Sequence, residues 1–345
     1  MKLLSAIAAT VFTFSSTNVT YAADAEQVAV VKGTQITGVT VSNQGDIFVN
    51  APNWRDGVSF AVARINKSTD KFTPYPDNAY NQCVANSDVR DDCFLAVQSV
   101  VASNDKLYVL DTRNPKFQQV KDAPRIFVID LNTDKVEKVL TLSAQAYHQD
   151  SYINDLRIDH KTNRVYMTDS AHAGLVVYNL NDDSSYRILD NHHSTRAQVQ
   201  TLNIQGKAFT MQVQSDGIAL DTYNDTLYYH ALSGYTLYAI NTADIKQGGD
   251  IANKAIWEVA KTGAPDGMIL DKRGNLYLAD LEKQQVQYLT PAHDLRTLVE
   301  GEAVNWADTF SIYNNYLYYT NSKIQDAGKD VSNMHFEVYR VKLPD

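Results

Sequence analysis

Three aspartates stand at the heads of short apolar runs. Asp216 precedes Gly217-Ile218-Ala219-Leu220, Asp266 precedes Gly267-Met268-Ile269-Leu270, and Asp308 precedes Thr309-Phe310. Asn154, Gln98 and Thr37 hold the corresponding places in three further runs. Brought together, these positions would set three carboxylates among amide and hydroxyl oxygens. Such a group repels itself unless it holds a cation or is partly protonated. Hard oxygen donors suit Ca²⁺ or Mg²⁺, not a soft metal. A plainer role stands beside this one: an Asp at a strand start, followed by Gly, also caps a turn through nearby backbone amides.

Other residue types add weaker signals. Trp54, followed by Arg55 and Asp56, falls in a loop where an indole could stack on an aromatic or cationic ligand, or simply pack. His172 and His230 fall near the ends of second strands and could border the same site, although core or loop roles suit them better. The His192-His193 pair lies in a polar connection and reads as solvated. The sequence contains no Gly-x-Ser-x-Gly, no His-Glu-x-x-His and no phosphate-binding loop.

The elements that must position these residues come from a repeat. Six copies of an aliphatic-aromatic strand recur: Ile47-Phe48-Val49-Asn50, Leu107-Tyr108-Val109-Leu110-Asp111, Val165-Tyr166-Met167-Thr168-Asp169, Leu227-Tyr228-Tyr229-His230, Leu276-Tyr277-Leu278-Ala279-Asp280 and Leu317-Tyr318-Tyr319-Thr320-Asn321. A short strand and a turn precede each copy, as in Gly267 to Asp271 before Arg273-Gly274-Asn275, which is a hairpin signal. A third strand follows each copy, and often a polar fourth, such as Lys135 to Leu140. Four antiparallel strands repeated six times predict an all-β, six-bladed β-propeller. The 21 tyrosines follow from the strand motif and do not argue for redox chemistry.

The last unit ends at Asp345 without a fourth strand, while Val28 to Lys32 precedes the first unit as a spare. That strand is expected to pair into the last blade and close the ring, protecting two edges and making residues 23–345 one domain. First strands line the channel of a propeller. The heads of those strands, Thr37, Gln98, Asn154, Asp216, Asp266 and Asp308, are therefore expected to ring one mouth. The loops after the second strands, Asn50 to Ser59 with Trp54 among them, would cover the same face.

Residues 1–22 read as a secretory signal peptide: Lys2, an apolar run from Leu3 to Phe14, and small residues around Thr20-Tyr21-Ala22. The run is shorter than the roughly 20 apolar residues a membrane span needs. The expected location is secreted or periplasmic, without membrane insertion. The formal charge of −9, with no basic cluster, argues against nucleic-acid binding and fits a neutral or cationic ligand. Cys83 and Cys93, close together in an oxidising compartment, are expected to form a disulfide.

Two families share these motifs. Thr37 to Val41 with Asp46 to Asn50, Pro52 and Trp54 resembles the opening blade of the major royal jelly protein/yellow family. So do Ser215 to Asp221 with Leu227-Tyr228-Tyr229 and Tyr235 to Tyr238, and Trp306 to Phe310 with Tyr316 to Ser322. The short loops suggest a bacterial-type member. That resemblance implies a secreted six-bladed propeller whose relatives include binders of biogenic amines in the channel and proteins linked to pigment formation. Pro265-Asp266-Gly267-Met268 with Asp271 and Gly274-Asn275-Leu276, together with Asn154-Asp155 and Ser215-Asp216-Gly217, is similar to the gluconolactonase/regucalcin family. This second resemblance implies a divalent metal, possible Ca²⁺, on Asn154, Asp216 and Asp266. Thr37 stands where that family places a glutamate ligand.

The leading expectation is a propeller that binds a small molecule at the channel mouth. The alternative is a divalent-metal-dependent, lactonase-like hydrolase, with Asp216 or Asp266 as ligand or base. A structural extracellular protein is the third possibility.

Overall fold

The computed structural model describes residues 24–66, 68–247 and 249–344. The segment expected to be a signal peptide lies outside the described residues. Six four-stranded antiparallel sheets follow one another around a ring. Blade 1 runs Gly38–Val41, Ile47–Asn50, Val62–Asn66 and Lys71–Pro74 from the centre outward. Blade 2 is built from Val97–Ser103, Lys106–Asp111, Arg125–Asp130 and Lys135–Thr141, and blade 3 from Ile153–Asp159, Arg164–Asp169, Gly174–Asn179 and Ser184–Ile188. Blade 4 comprises Ser215–Asp221, Thr226–Ala231, Thr236–Asn241 and Trp257–Lys261. Blade 5 comprises Met268–Leu270, Leu276–Asp280, Gln285–Leu289 and Leu295–Glu300.

Blade 6 takes three strands from the end of the chain, Ala307–Tyr313, Tyr316–Asn321 and His335–Lys342, and its outermost strand, Ala25–Lys32, from the beginning. The ring closes as the sequence predicts. Across the seam the Arg340 guanidinium donates to Glu26 at 2.6 Å.

The second-strand motif follows from how blades stack. Side chains alternate between the two faces of a strand. In a propeller both faces press on neighbouring blades, so the aliphatic residue and the aromatic beside it are each buried. Leu107 and Tyr108, Val165 and Tyr166, and Leu276 and Tyr277 are all buried. Each such side chain contributes on the order of 2 kcal/mol by leaving water.

The acids of the repeat divide into two kinds. Asp159, Asp221 and Asp271 accept backbone N–H bonds within their own hairpin turns. Asp111 and Asp169, at the ends of second strands, accept from Leu95 and Ala96 and from Tyr152, tying the blade entry to the strand beside it. These carboxylates hold turns. The aspartates at the heads of first strands do not.

Three features are not foreshadowed by the repeat. A hairpin, Leu202–Ile204 with Lys207–Phe209, is inserted between blades 3 and 4. Short helices, Thr242–Gln247 and Gly249–Lys254, connect the outer strands of blade 4. Two more, Asn78–Asn81 and Cys83–Asn86, precede blade 2. The second of these starts at the disulfide between Cys83 and Cys93, whose Cα atoms lie 5.9 Å apart.

Candidate functional site

A cavity of about 300 Å³ opens at one mouth of the central channel. Its floor carries Gln98, Asn154, Asp216, Asp266 and Asp308 from blades 2 to 6, all buried. A much smaller void of about 10 Å³ continues past them toward Ser99, Asp155 and Thr309.

Local backbone irregularity delivers four of these side chains, while Asp266 stands just ahead of a regularly paired inner strand. In blades 2, 3, 4 and 6 the register between first and second strands shifts at the strand head: between Val97 and Ser99, Ile153 and Leu156, Ser215 and Ile218, and Ala307 and Phe310. The shifts bracket Gln98, Asn154, Asp216 and Asp308. A bulge of this kind re-aims a side chain out of the pleat. The glycines after two of the aspartates answer a close approach. A Cβ on Gly217 would lie 2.8 Å from the Asp266 carbonyl oxygen, and one on Gly267 would lie 2.8 Å from that of Asp308.

Blade 1 behaves differently. Its inner strand pairs in register through Gly38–Val41, and the Thr37 N–H donates to the Asn50 carbonyl. The Thr37 hydroxyl accepts from the Asn50 amide at 3.2 Å and its side chain is fully buried. Thr37 therefore does not line the cavity, contrary to the expectation for this strand head; Gln35 lines it in its place.

The walls are aromatic and apolar. On one side Trp54, Phe117 and Tyr152 stack in series, with centroids 5.9 and 4.7 Å apart. The Trp54 indole N–H donates to the Tyr152 hydroxyl at 2.6 Å, and that hydroxyl donates to Gln98 Oε1 at 2.8 Å. Opposite, Phe209 of the inserted hairpin meets Trp306 edge to face at 5.1 Å. Met211, Val213, Leu232, Ile324 and Ala327 complete the apolar lining. Phe117 and Trp306 both sit in the left-handed backbone region, at φ 54° and 62°. Bulky residues rarely adopt it, and such strain gathers at functional sites.

Buried contacts brace this wall. The fully buried Arg113 guanidinium bonds to both oxygens of Asp122 and to the Asp111 carboxylate, pinning the loop that presents Phe117. The Asn53 amide donates to the Val84 and Leu95 carbonyls, on either side of the disulfide. The Lys116 N–H donates to the Asn53 carbonyl at 2.7 Å, joining the Trp54 and Phe117 loops.

The floor is electrostatically unbalanced. Burial raises all three carboxyls above the ordinary Asp range. Asp216 and Asp308 are pushed well up, by burial first and then by the charge of Asp266. Asp266 rises to about 7; burial lifts it, while bonds from the Trp306 indole and the Asp216 carboxyl hold it below its neighbours. The Trp306 N–H reaches Asp266 Oδ2 at 2.6 Å. Among the lining residues the single basic side chain is Arg55 at the rim, and it is engaged with Gln35 and the Gly328 carbonyl. Deeper in, Asp155 is already matched by Arg157 at 3.0 Å. The mouth thus has carboxyls in excess of cations, in a setting where burial favours their neutral forms and an entering cation would favour the charged ones.

The donor set meets calcium's needs only in part. Asn154, Asp216 and Asp266 supply hard oxygens, yet Ca²⁺ takes six to eight. Thr37 faces Asn50, and Asp216 and Asp266 are bonded to each other. The three carboxylates do not form a cluster with all ligand oxygens within 4.8 Å of one another; among the described residues one trio of His, Cys or acidic side chains does, and it lies elsewhere, at His148, His172 and Asp190.

The remaining histidines are also placed. His230 is fully buried between the Ala231 carbonyl and the Thr262 hydroxyl, and burial lowers its pKa to about 4. His172 turns to His148 and Asp150, away from the cavity. Neither lines the mouth. His193 is exposed and His192 half-buried.

Fold and site together define a six-bladed propeller with an acidic, aromatic-walled recess at one end of its channel. Comparison with known proteins carries this further. Residues 96–343 match the major royal jelly protein family, and the chain belongs to it. Major royal jelly protein 3 of Apis mellifera is 26% identical over 256 residues, covering 65% of this chain and 45% of that protein. Major royal jelly protein 9 of the same species is 23% identical over 257 residues, covering 68% of this chain and 58% of that one. The chain spans about half the length of the curated relatives it matches. Among solved structures, a luciferin-regenerating enzyme superposes with a TM-score of 0.57 at 13% identity over 93% of this chain and 95% of its own. A gluconolactonase from Xanthomonas campestris gives 0.55 at 13% identity over 93% and 90%. At that identity the likeness is one of fold.

Proposed function

We propose that this protein is a secreted binder of small organic cations, and that an aromatic monoamine is the kind of ligand its channel mouth takes. The observation that carries the reading is the buried Asp216-Asp266-Asp308 floor, without a matching cation, beneath facing aromatic walls. An ammonium group would charge and satisfy the carboxyls, and its ring would lie between the Trp54-Phe117-Tyr152 stack and the Phe209-Trp306 pair. A cavity near 300 Å³ suits a molecule of that size. The signal-like segment and the disulfide support export. The amine-binding relatives implied by the sequence resemblance point the same way.

The alternative is a metal-dependent, lactonase-like activity. What favours it is the oxygen set of Asn154, Asp216 and Asp266, which would hold a divalent ion as a Lewis acid toward a lactone carbonyl. Calorimetric titration of chelator-treated protein separates the two. The binding reading expects saturable heat with tryptamine or dopamine, strongly weakened in Asp266→Asn, and none with Ca²⁺. Saturable Ca²⁺ binding without amine binding would transfer the site to the hydrolase reading, with lactone turnover as the next assay.

A further inference from the structure

Away from the channel, on the outer part of the same face of blade 3, three side chains from three segments converge. His148 comes from the connection entering the blade, His172 from the loop after its second strand, and Asp190 from just beyond its fourth. One ligand atom from each lies within 4.8 Å of the other two. His148 Nε2 is 3.0 Å from Asp190 Oδ2. The imidazoles of His148 and His172 stack with centroids 3.7 Å apart and planes at 23°. Asp150 lies 3.2 Å from His172 Nδ1, where its carboxylate can orient that ring or add a further oxygen.

This constellation is held in place by buried chemistry. Arg187, almost fully buried, donates to Asp190 Oδ1 at 2.6 Å, to the His172 carbonyl at 2.9 Å and to the buried Asp169 at 2.8 Å. One guanidinium therefore fixes the loops that carry two of the three side chains. Gly174 leaves the space for it: a Cβ there would lie 2.4 Å from Arg187 Nη2 and 2.9 Å from Asp190 Oδ1. Supporting contacts of this kind are what hold ligands ready for a metal. The local charge also asks for a cation, since Asp150, Asp169 and Asp190 outnumber Arg187.

We infer that His148, His172 and Asp190 form a binding site for a borderline first-row divalent cation of the Zn²⁺ type. Two imidazoles and a carboxylate suit such an ion, whereas the scarcity of oxygen donors disfavours Ca²⁺ and the lack of thiolate disfavours Cu(I). With bonds of about 2.0–2.1 Å, ligands around tetrahedral zinc stand roughly 3.3 Å apart. The ligand atoms are already within 4.8 Å of one another, and rotation of the stacked imidazoles about their side-chain torsions would turn one nitrogen of each toward a common ion. The ion would take the place of the direct contact between His148 Nε2 and Asp190 Oδ2, and water would take the fourth position on the solvent side.

The test uses full-length mature protein purified without a polyhistidine tag and stripped with chelator. Zn²⁺ is titrated calorimetrically, and Co²⁺ is followed through its visible absorption, which is intense when four-coordinate. The expected result is one ion per chain, with His172→Ala and Asp190→Asn each weakening Zn²⁺ binding at least about tenfold. Asp216→Asn, in the channel, should bind Zn²⁺ as the wild type does, which separates this site from the mouth. Circular dichroism verifies that each variant is folded, and His148→Gln replaces any that is not. Wild-type affinity retained in the folded variants, or no saturable Zn²⁺ binding by the wild type, overturns the inference.

Discussion

Blades 1 and 4 are built from the same repeat, yet only one offers its strand head to the channel. In blade 4 the register slips between Ser215 and Ile218, and Asp216 turns onto the cavity floor. In blade 1 the ladder runs unbroken, and Thr37 spends its hydroxyl on Asn50. Blade 1 instead serves the cavity through loops: Gln35 before its inner strand, and Trp54 and Arg55 after its second. Regular pairing builds the ring, and departures from it turn four of the five floor side chains toward the channel.

That contrast can be broken by mutation. The largest effect is expected at the floor. Asp216→Asn and Asp266→Asn should each weaken amine binding about 100-fold, near 2.7 kcal/mol, by calorimetry. Thr37→Val in blade 1 should leave affinity within about twofold; an equal loss there would end the distinction between the blades. Next, removing the Cys83–Cys93 bridge as a double alanine variant should cost about 2–3 kcal/mol of stability in urea unfolding. It should also weaken binding, because the loops of the Trp54 wall rest beside the bridge. Gly217→Ala should cost roughly 1–3 kcal/mol through overpacking against the inner strand of blade 5. Its affinity should fall with it, since the intruding methyl meets the Asp266 backbone.

The pH dependence sharpens the comparison further. The floor carboxyls have folded pKa values above the ordinary value of about 3.9, with Asp266 near 7. The unfolded chain therefore loses these protons first. The stability they contribute is complete at low pH and is lost as pH rises above about 4, the share of Asp266 by about pH 7, so the melting temperature of ligand-free protein should fall across that range. A bound ammonium needs the ionised form, so affinity should rise over the same range, by at most about tenfold per pH unit for each proton released. Asp266→Asn should make both curves shallower by removing one titrating carboxyl; a flat wild-type profile would mean that the floor does not titrate with ligand.

Much of the fold was legible because each repeat declares itself locally: the aliphatic-aromatic strand, the turn before it and the missing last strand are all short-range patterns. The positions of Gln98, Asn154, Asp216, Asp266 and Asp308 could be read from the same periodicity. Thr37 could not, because the periodicity does not tell a broken ladder from an unbroken one, and in blade 1 the pairing runs in register with the Thr37 hydroxyl bonded to Asn50. The walls were less visible still. Phe117, Tyr152 and Phe209 reach the cavity from loops and an inserted hairpin that no period governs, although the Gln205-Gly206 turn between alternating residues was an available sign of that hairpin. His148 and Asp190 meet across 42 positions of sequence, and no spacing rule joins them.

The seam in blade 6 gives the molecule an unusual timetable. Glu26 and Arg340, bonded across it, are 314 positions apart, so this ladder forms only after nearly all the chain is in place. Contacts of such long range are slow to form. The recess draws on both sides of that seam, with Trp54 from the first blade and Asp308 and Ile324 from the last. Capacity to bind and closure of the ring therefore arrive together. A ligand resting on the floor stabilises the closed state over the opened one. Protease attack on the Ala25–Lys32 strand, at the outer edge of the disc, should therefore slow when the distant channel is filled.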